Sequence, residues 1–116
     1  MSLGHILVVD DEVINRIILT DNLMDAGYEV SEAEDGNGAL KLLEESPERF
    51  DAVLLDRMMP GMDGVEVLKH LKGNQAFENL PVILQTALAD PKSVAEGLAA
   101  GADDYLTKPF HMEELL

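Results

Sequence analysis

The chain has 116 residues and no cysteine, which allows one domain with its own core and excludes disulfides and thiolate metal sites. Its 23 acids against 8 bases give a formal charge of −15, a field that repels phosphodiester backbones and argues against direct nucleic acid binding. No apolar run approaches the ~20 residues of a membrane span and no basic-then-apolar leader opens the chain, so a soluble, cytoplasmic protein is expected.

Met1-Ser2-Leu3 are set aside as a vector-derived stretch without structural weight, and the domain is taken as residues 4–116. Residues 5–9, His-Ile-Leu-Val-Val, form a short continuous apolar run, the mark of a central parallel strand, and they stop on Asp10-Asp11-Glu12. A helix follows. Leu19, Leu23 and Ala26, joined by Ile18, fall on one inward face, while Val13, Ile17 and Met24 make a second stripe. Asp10 or Asp11 is a candidate N-cap for this helix, and Gly27 suits its stop. Residues 28–33 read as a more alternating, edge-like strand, and Asp35-Gly36 turns into a helix over 37–45 with Ala39, Leu40 and Leu43 inward.

The third strand, 52–55, ends on Asp56; Pro60, Gly61 and Gly64 then keep the backbone irregular until a helix over 65–72, for which Asp63 is the cap. Residues 81–85 are the fourth strand, leading to Thr86-Ala87. A fourth helix covers 91–100, with Pro91 in its first turn and Gly101 at its end. Residues 105–107 make a short fifth strand closed by Lys108-Pro109, and a fifth helix begins at 112 and is cut off at 116. Strands alternating with helices predict a doubly wound five-stranded parallel sheet, covered on both faces, in a domain taken from a longer protein.

In a flavodoxin-like strand order 2-1-3-4-5, the first and third strands are neighbours, so Asp10, Asp11 and Asp56 crowd at one tip, with Thr86 one strand away and Lys108 two. Three carboxylates so close repel each other unless compensated. Oxygen ligands with room for water suit Mg²⁺, with Mn²⁺ as the alternative, and Lys108 adds a movable cation. A metal and an ammonium beside a carboxylate are what phosphoryl transfer to that carboxylate needs. Taken singly, these residues have ordinary readings as helix caps, a strand-end threonine, a solvated lysine and a half-buried tyrosine. Met58, Met59 and Met62 read as gap-filling or surface residues, and His5, His70 and His111 share no metal-ligand spacing.

The set resembles the receiver domain of two-component response regulators over nearly its whole length. The resemblance is carried by Asp10-Asp11, by Asp56 within Leu-Asp-Arg-Met-Met-Pro-Gly-Met-Asp-Gly, by Thr86-Ala87, by Gly101-Ala102-Asp103-Asp104-Tyr105 and by Lys108-Pro109-Phe110. It implies that a histidine kinase or His phosphotransfer protein phosphorylates Asp56. It also implies that Asp11, Asp56 and the Met58 backbone carbonyl hold Mg²⁺ directly and Asp10 through water. Thr86 and Lys108 would contact the phosphoryl group, Tyr105 would act as an aromatic switch, and the Lys108-Pro109 peptide would be cis. The changed face, built from the fourth helix, fifth strand and fifth helix, would act on an attached or separate output domain or drive a phosphorylation-dependent dimer. Beyond its own phosphorylation and dephosphorylation, the chain would not be an enzyme.

Met58 and Leu88 stand where polar side chains in this family assist the hydrolytic water, so slow loss of phosphate is expected. Removing one charge, as in Asp10→Asn, is expected to stabilise the metal-free fold and damage phosphorylation. A Mg²⁺-dependent phosphatase of the haloacid-dehalogenase type is the enzymatic rival, but it would need Asp-x-Asp after the first strand. A flavodoxin-like FMN binder lacks its Ser/Thr-rich phosphate loop, and an interaction module that never takes phosphate leaves the complete residue set unexplained.

Overall fold

In the computed structural model, residues 3–46, 48–57, 59, 61, 63–77, 79–86 and 91–107 are described, with the backbone alone for Thr86, Ser93, Leu106 and Thr107. The elements run β1 His5–Val9, α1 Val13–Asp25, β2 Glu29–Ala33, α2 Gly36–Glu45, β3 Ala52–Asp56, α3 Gly64–Lys72, a 3₁₀ turn Gln75–Phe77, β4 Val82–Thr86, α4 Pro91–Ala99 and β5 Asp104–Thr107. All five strands pair in parallel in the order β2-β1-β3-β4-β5, a flavodoxin-like doubly wound sheet. The 3₁₀ turn is the one described element not read from the sequence; the fifth helix lies outside the described residues.

The continuous apolar runs are central because both of their faces are covered. Leu7 and Val9 of β1, Val53 and Leu55 of β3 and Val82 and Leu84 of β4 pack on α2 and α3 through Ala39, Leu43, Val67, Leu68 and Leu71. The alternate residues Val8 and Leu54 turn to the other face, where Leu19 and Leu23 of α1 meet them. Each fully buried leucine contributes about 1.5–3 kcal/mol. β2 lies at the edge, as its mixed sequence predicts, and of its five residues only Ala33 is buried.

The apolar residues of α1 divide differently from the expected pattern. Leu19 and Leu23 are buried, but Ile18 is 52 % exposed and the second stripe, Val13, Ile17 and Met24, lies on the surface with Ile14. The sheet face offers α1 one narrow contact row, and a helix so rich in branched residues has more apolar positions than that row can take. The helix ends as Gly27 predicts. Gly27 adopts φ +106°, its N–H bonds the Met24 carbonyl, and the Tyr28 N–H reaches back to Leu23. Leu3 also takes part in the fold, since its N–H donates to the Gly27 carbonyl at 2.9 Å, so it has the structural weight that the sequence reading withheld.

Candidate functional site at the tips of β1, β3 and β4

Asp56 is the last residue of β3 and is 2 % exposed, and Asp10 follows β1 with no exposure. Sheet alternation sets their direction. Asp10, Asp56 and Gln85 continue the series Val8, Leu54 and Ile83 on the α1 face, so the two carboxylates and the amide leave the sheet together. Asp11 is exposed beside them. One carboxylate oxygen from each of Asp10, Asp11 and Asp56 lies within 4.8 Å of the others, a spacing that can hold a hard cation.

Asp10 is the anchored member. Its Oδ1 accepts the Glu12 N–H at 2.9 Å, and its Oδ2 accepts from the Asn15 side-chain amide and, at 3.3 Å, from Gln85 Nε2. Arg16 Nη1 holds the Asp10 backbone carbonyl at 2.6 Å while its Nε pairs with Glu32 at 3.2 Å. The N-cap of α1 is Glu12, without a side-chain cap bond, so neither Asp10 nor Asp11 caps the helix as expected; Asp10 instead turns its own loop inward. The cap expected at Asp63 is present, and Asp35, read only as part of a turn, caps α2 as well. Asp63 accepts the Glu66 N–H at 3.0 Å, and Asp35 accepts the Gly38 N–H at 2.7 Å.

The sequence reading passed over two parts of the site. Gln85 is fully buried and spans the width of β3 to reach Asp10, and its Oε1 has no hydrogen-bond partner among the described residues. An amide closing the apolar run Val82-Ile83-Leu84 was its available signal. Arg57, next to Asp56, is 8 % exposed and joins three elements: Nη2 donates to Glu96 of α4 at 2.9 Å and Nη1 to the Tyr105 hydroxyl of β5 at 3.4 Å. Burial disfavours its charge, but the bonds to Tyr105 and Glu96 outweigh that and hold its pKa above the ordinary guanidinium value. Gly97 on α4 lies against the same ring, where a Cβ would meet Tyr105 Cδ2 at 2.8 Å.

Thr86 ends β4 opposite Thr107 in register, one strand from Asp56. Its side chain lies outside the described residues, as do Met58, Leu88, Lys108, Pro109 and Phe110. The acidic cluster and Tyr105 are therefore the parts of the expected set whose side-chain placement is given.

Known proteins are similar to this chain in sequence and arrangement. The response regulator receiver domain family matches residues 6–116. The transcriptional regulatory protein YrkP of Bacillus subtilis is 44 % identical over 111 residues, covering 96 % of this chain and 46 % of that protein. The response regulator MprA of Mycolicibacterium vanbaalenii is 47 % identical over 112 residues, covering 97 % and 47 %. The chain thus spans about half the length of these relatives. Among solved structures, Vibrio cholerae chemotaxis protein CheY4 superposes with a TM-score of 0.90 at 36 % identity, covering 98 % of this chain and 93 % of that one. CheY in a CheX-CheY-BeF₃-Mg²⁺ complex from Borrelia burgdorferi gives 0.89 at 29 % identity, covering 97 % and 83 %. Among the described residues, no helix is long and apolar enough to cross a membrane. With the fold, the acidic cluster and these relatives in agreement, the chain belongs to the response regulator receiver domains of two-component signalling.

Proposed function

We propose that Asp56 accepts a phosphoryl group from a histidine kinase or His phosphotransfer protein and that residues 4–116 work as the receiver unit. The observation that carries this is the position of a buried acceptor carboxylate at the end of β3 with two further carboxylates within 4.8 Å. An Asp56 oxygen would attack phosphorus in line, forming the Oδ–P bond as the donor's P–N bond breaks, or the P–O bond of acetyl phosphate. The donor set is all oxygen, and the orphaned Gln85 Oε1 leaves an acceptor for the hydration shell of an ion, so these residues fit Mg²⁺ or Mn²⁺. Asp11, Asp56 and the Met58 carbonyl would hold the ion directly and Asp10 through water, and the ion supplies positive charge to the phosphoryl oxygens when bound. A related structure, the CheX-CheY-BeF₃-Mg²⁺ complex, supports this reading.

Thr86 and Lys108 would contact the phosphoryl group, Lys108 ahead of a cis bond to Pro109. Rearrangement would then reach Tyr105, whose hydroxyl is tied to Arg57 in the resting arrangement. Loosening that tie would change the face of α4 and β5 that an attached or separate output domain or a second phosphorylated copy meets. The chain would catalyse only its own phosphorylation and slow dephosphorylation, in the cytoplasm.

Intact-mass measurement after incubation with acetyl phosphate and Mg²⁺ tests the acceptor. A gain of about 80 Da, one HPO₃ group, is expected in the parent and not in Asp56→Asn or after EDTA. An equal gain in Asp56→Asn would move the chemistry elsewhere, and no gain in folded, Mg²⁺-bound parent would favour a module that takes no phosphate. The added mass is expected to persist for many minutes to hours, given Met58 and Leu88. Its loss within seconds would show that these apolar residues do not hinder water.

A further inference from the structure

Gln85 is an anomaly of energy. Val82, Ile83 and Leu84 precede it in β4 with apolar side chains, and a buried amide with an unpaired oxygen is costly where a methionine of similar size would not be. Its orientation is fixed from one side, because Nε2 donates to Asp10 Oδ2 at 3.3 Å and the reversed amide would set oxygen against carboxylate. Oε1 is therefore a buried acceptor on the amide that reaches Asp10, with no donor among the described residues. Asp10, Asp11 and Asp56 supply acceptors alone when ionised, so they bring no proton to it. A cation that keeps part of its hydration shell brings water protons into the site, and Mg²⁺ keeps several waters.

We propose that Gln85 is an outer-sphere cation residue: Nε2 positions Asp10 and Oε1 accepts a hydrogen bond from water on the bound ion. The inference deepens the cation reading above and rests on it. It puts Gln85, one residue before Thr86, to work on the ion, while Thr86 remains the expected partner of the phosphoryl group. Asp56 pairs with Gln85 in the sheet register, and the Arg57 N–H donates to the Gln85 carbonyl at 2.9 Å, so the amide is fixed to the acceptor strand by backbone as well.

Calorimetric titration with MgCl₂ of the parent, Gln85→Met and Gln85→Glu, each with its metal-free melting temperature, tests the assignment. Gln85→Met should weaken Mg²⁺ binding about fivefold or more, the loss of an anchor and an outer-sphere acceptor. Its metal-free melting temperature should hold or rise, because the unpaired oxygen is gone. Gln85→Glu keeps an acceptor at that position but loses the Nε2 donor to Asp10, so it should bind Mg²⁺ more tightly than Gln85→Met, while melting lower than the parent without metal. Binding within about twofold of the parent in Gln85→Met, or equal weakening in Met and Glu variants, would overturn the proposal. If Gln85→Glu does not fold without metal, Gln85→Met still decides. A parent that binds no Mg²⁺ would overturn the cation reading and this one together; a parent that binds Mg²⁺ but gains no mass from acetyl phosphate would overturn only the acceptor reading.

Discussion

Gly64→Ala should lower the melting temperature by roughly 4–12 °C, from a cost of about 1–3 kcal/mol for forcing atoms into filled space. A Cβ at Gly64 would stand 2.5 Å from the Asp56 carbonyl oxygen and 2.7 Å from the Arg57 Cα. Both obstacles are backbone, so no rotamer change relieves them. The gain in helix propensity returns under about 1 kcal/mol at this first helical position. The strain falls on the end of β3, so phosphorylation of Asp56 should slow as well. Gly61→Ala provides the comparison. Gly61 has φ +79°, and a Cβ there would meet no atom of the described residues within 4 Å, so its cost is the left-handed backbone alone, about 1–2 kcal/mol. Thermal unfolding with and without Mg²⁺, alongside acetyl phosphate kinetics, checks both. Equal phosphorylation rates in Gly64→Ala and the parent would show that the acceptor tolerates movement of its own backbone.

Asp11→Asn and Asp10→Asn should part company. The first should raise the metal-free melting temperature, because it removes one charge from an exposed side chain in a repelling trio. The second should lower it by about 1–3 kcal/mol of stability, which reverses what charge counting alone predicts. The Asp10 carboxylate accepts from Glu12, Asn15 and Gln85, and an asparagine there would turn its own N–H₂ toward one of those donors. Both variants should lose most of their Mg²⁺ affinity, and with it the stabilisation that binding only the native state gives, about 2.7 kcal/mol at a hundredfold excess over Kd. Differential scanning calorimetry with and without MgCl₂ reads all four values. Should Asp10→Asn melt above Asp11→Asn in EDTA, repulsion outweighs the hydrogen bonds.

The strands were legible because a continuous apolar run that stops on a carboxylate has few other meanings. Residues 5–9 and 52–55 each did so, and strand order then brought Asp10, Asp11 and Asp56 together. The cap at Asp63 was legible as an Asx residue opening apolar periodicity, whereas Asp35 was read as a turn and proved to be the N-cap of α2. The covered face of α1 was not, since Ile14, Ile17 and Ile18 match helical spacing as well as Leu19 and Leu23 do, and period does not say which stripe meets a sheet. Asp10 was misread as a cap because a carboxylate before a helix looks the same whether it turns to the helix or to the site. Gln85 and Arg57 escaped for a related reason: their partners, Asp10, Glu96 and Tyr105, lie far along the chain, and no local pattern announces a polar side chain that crosses a strand.

The bond from Gln85 to Asp10 closes a loop of 75 residues. Contacts so distant in sequence form after the local helices and the first strand pairings, because their closure entropy must be met before they contribute. Pairing of β1 with β3, a closer contact along the chain, already brings Asp10 and Asp56 together, so their repulsion is met before Gln85 can hold Asp10 in place.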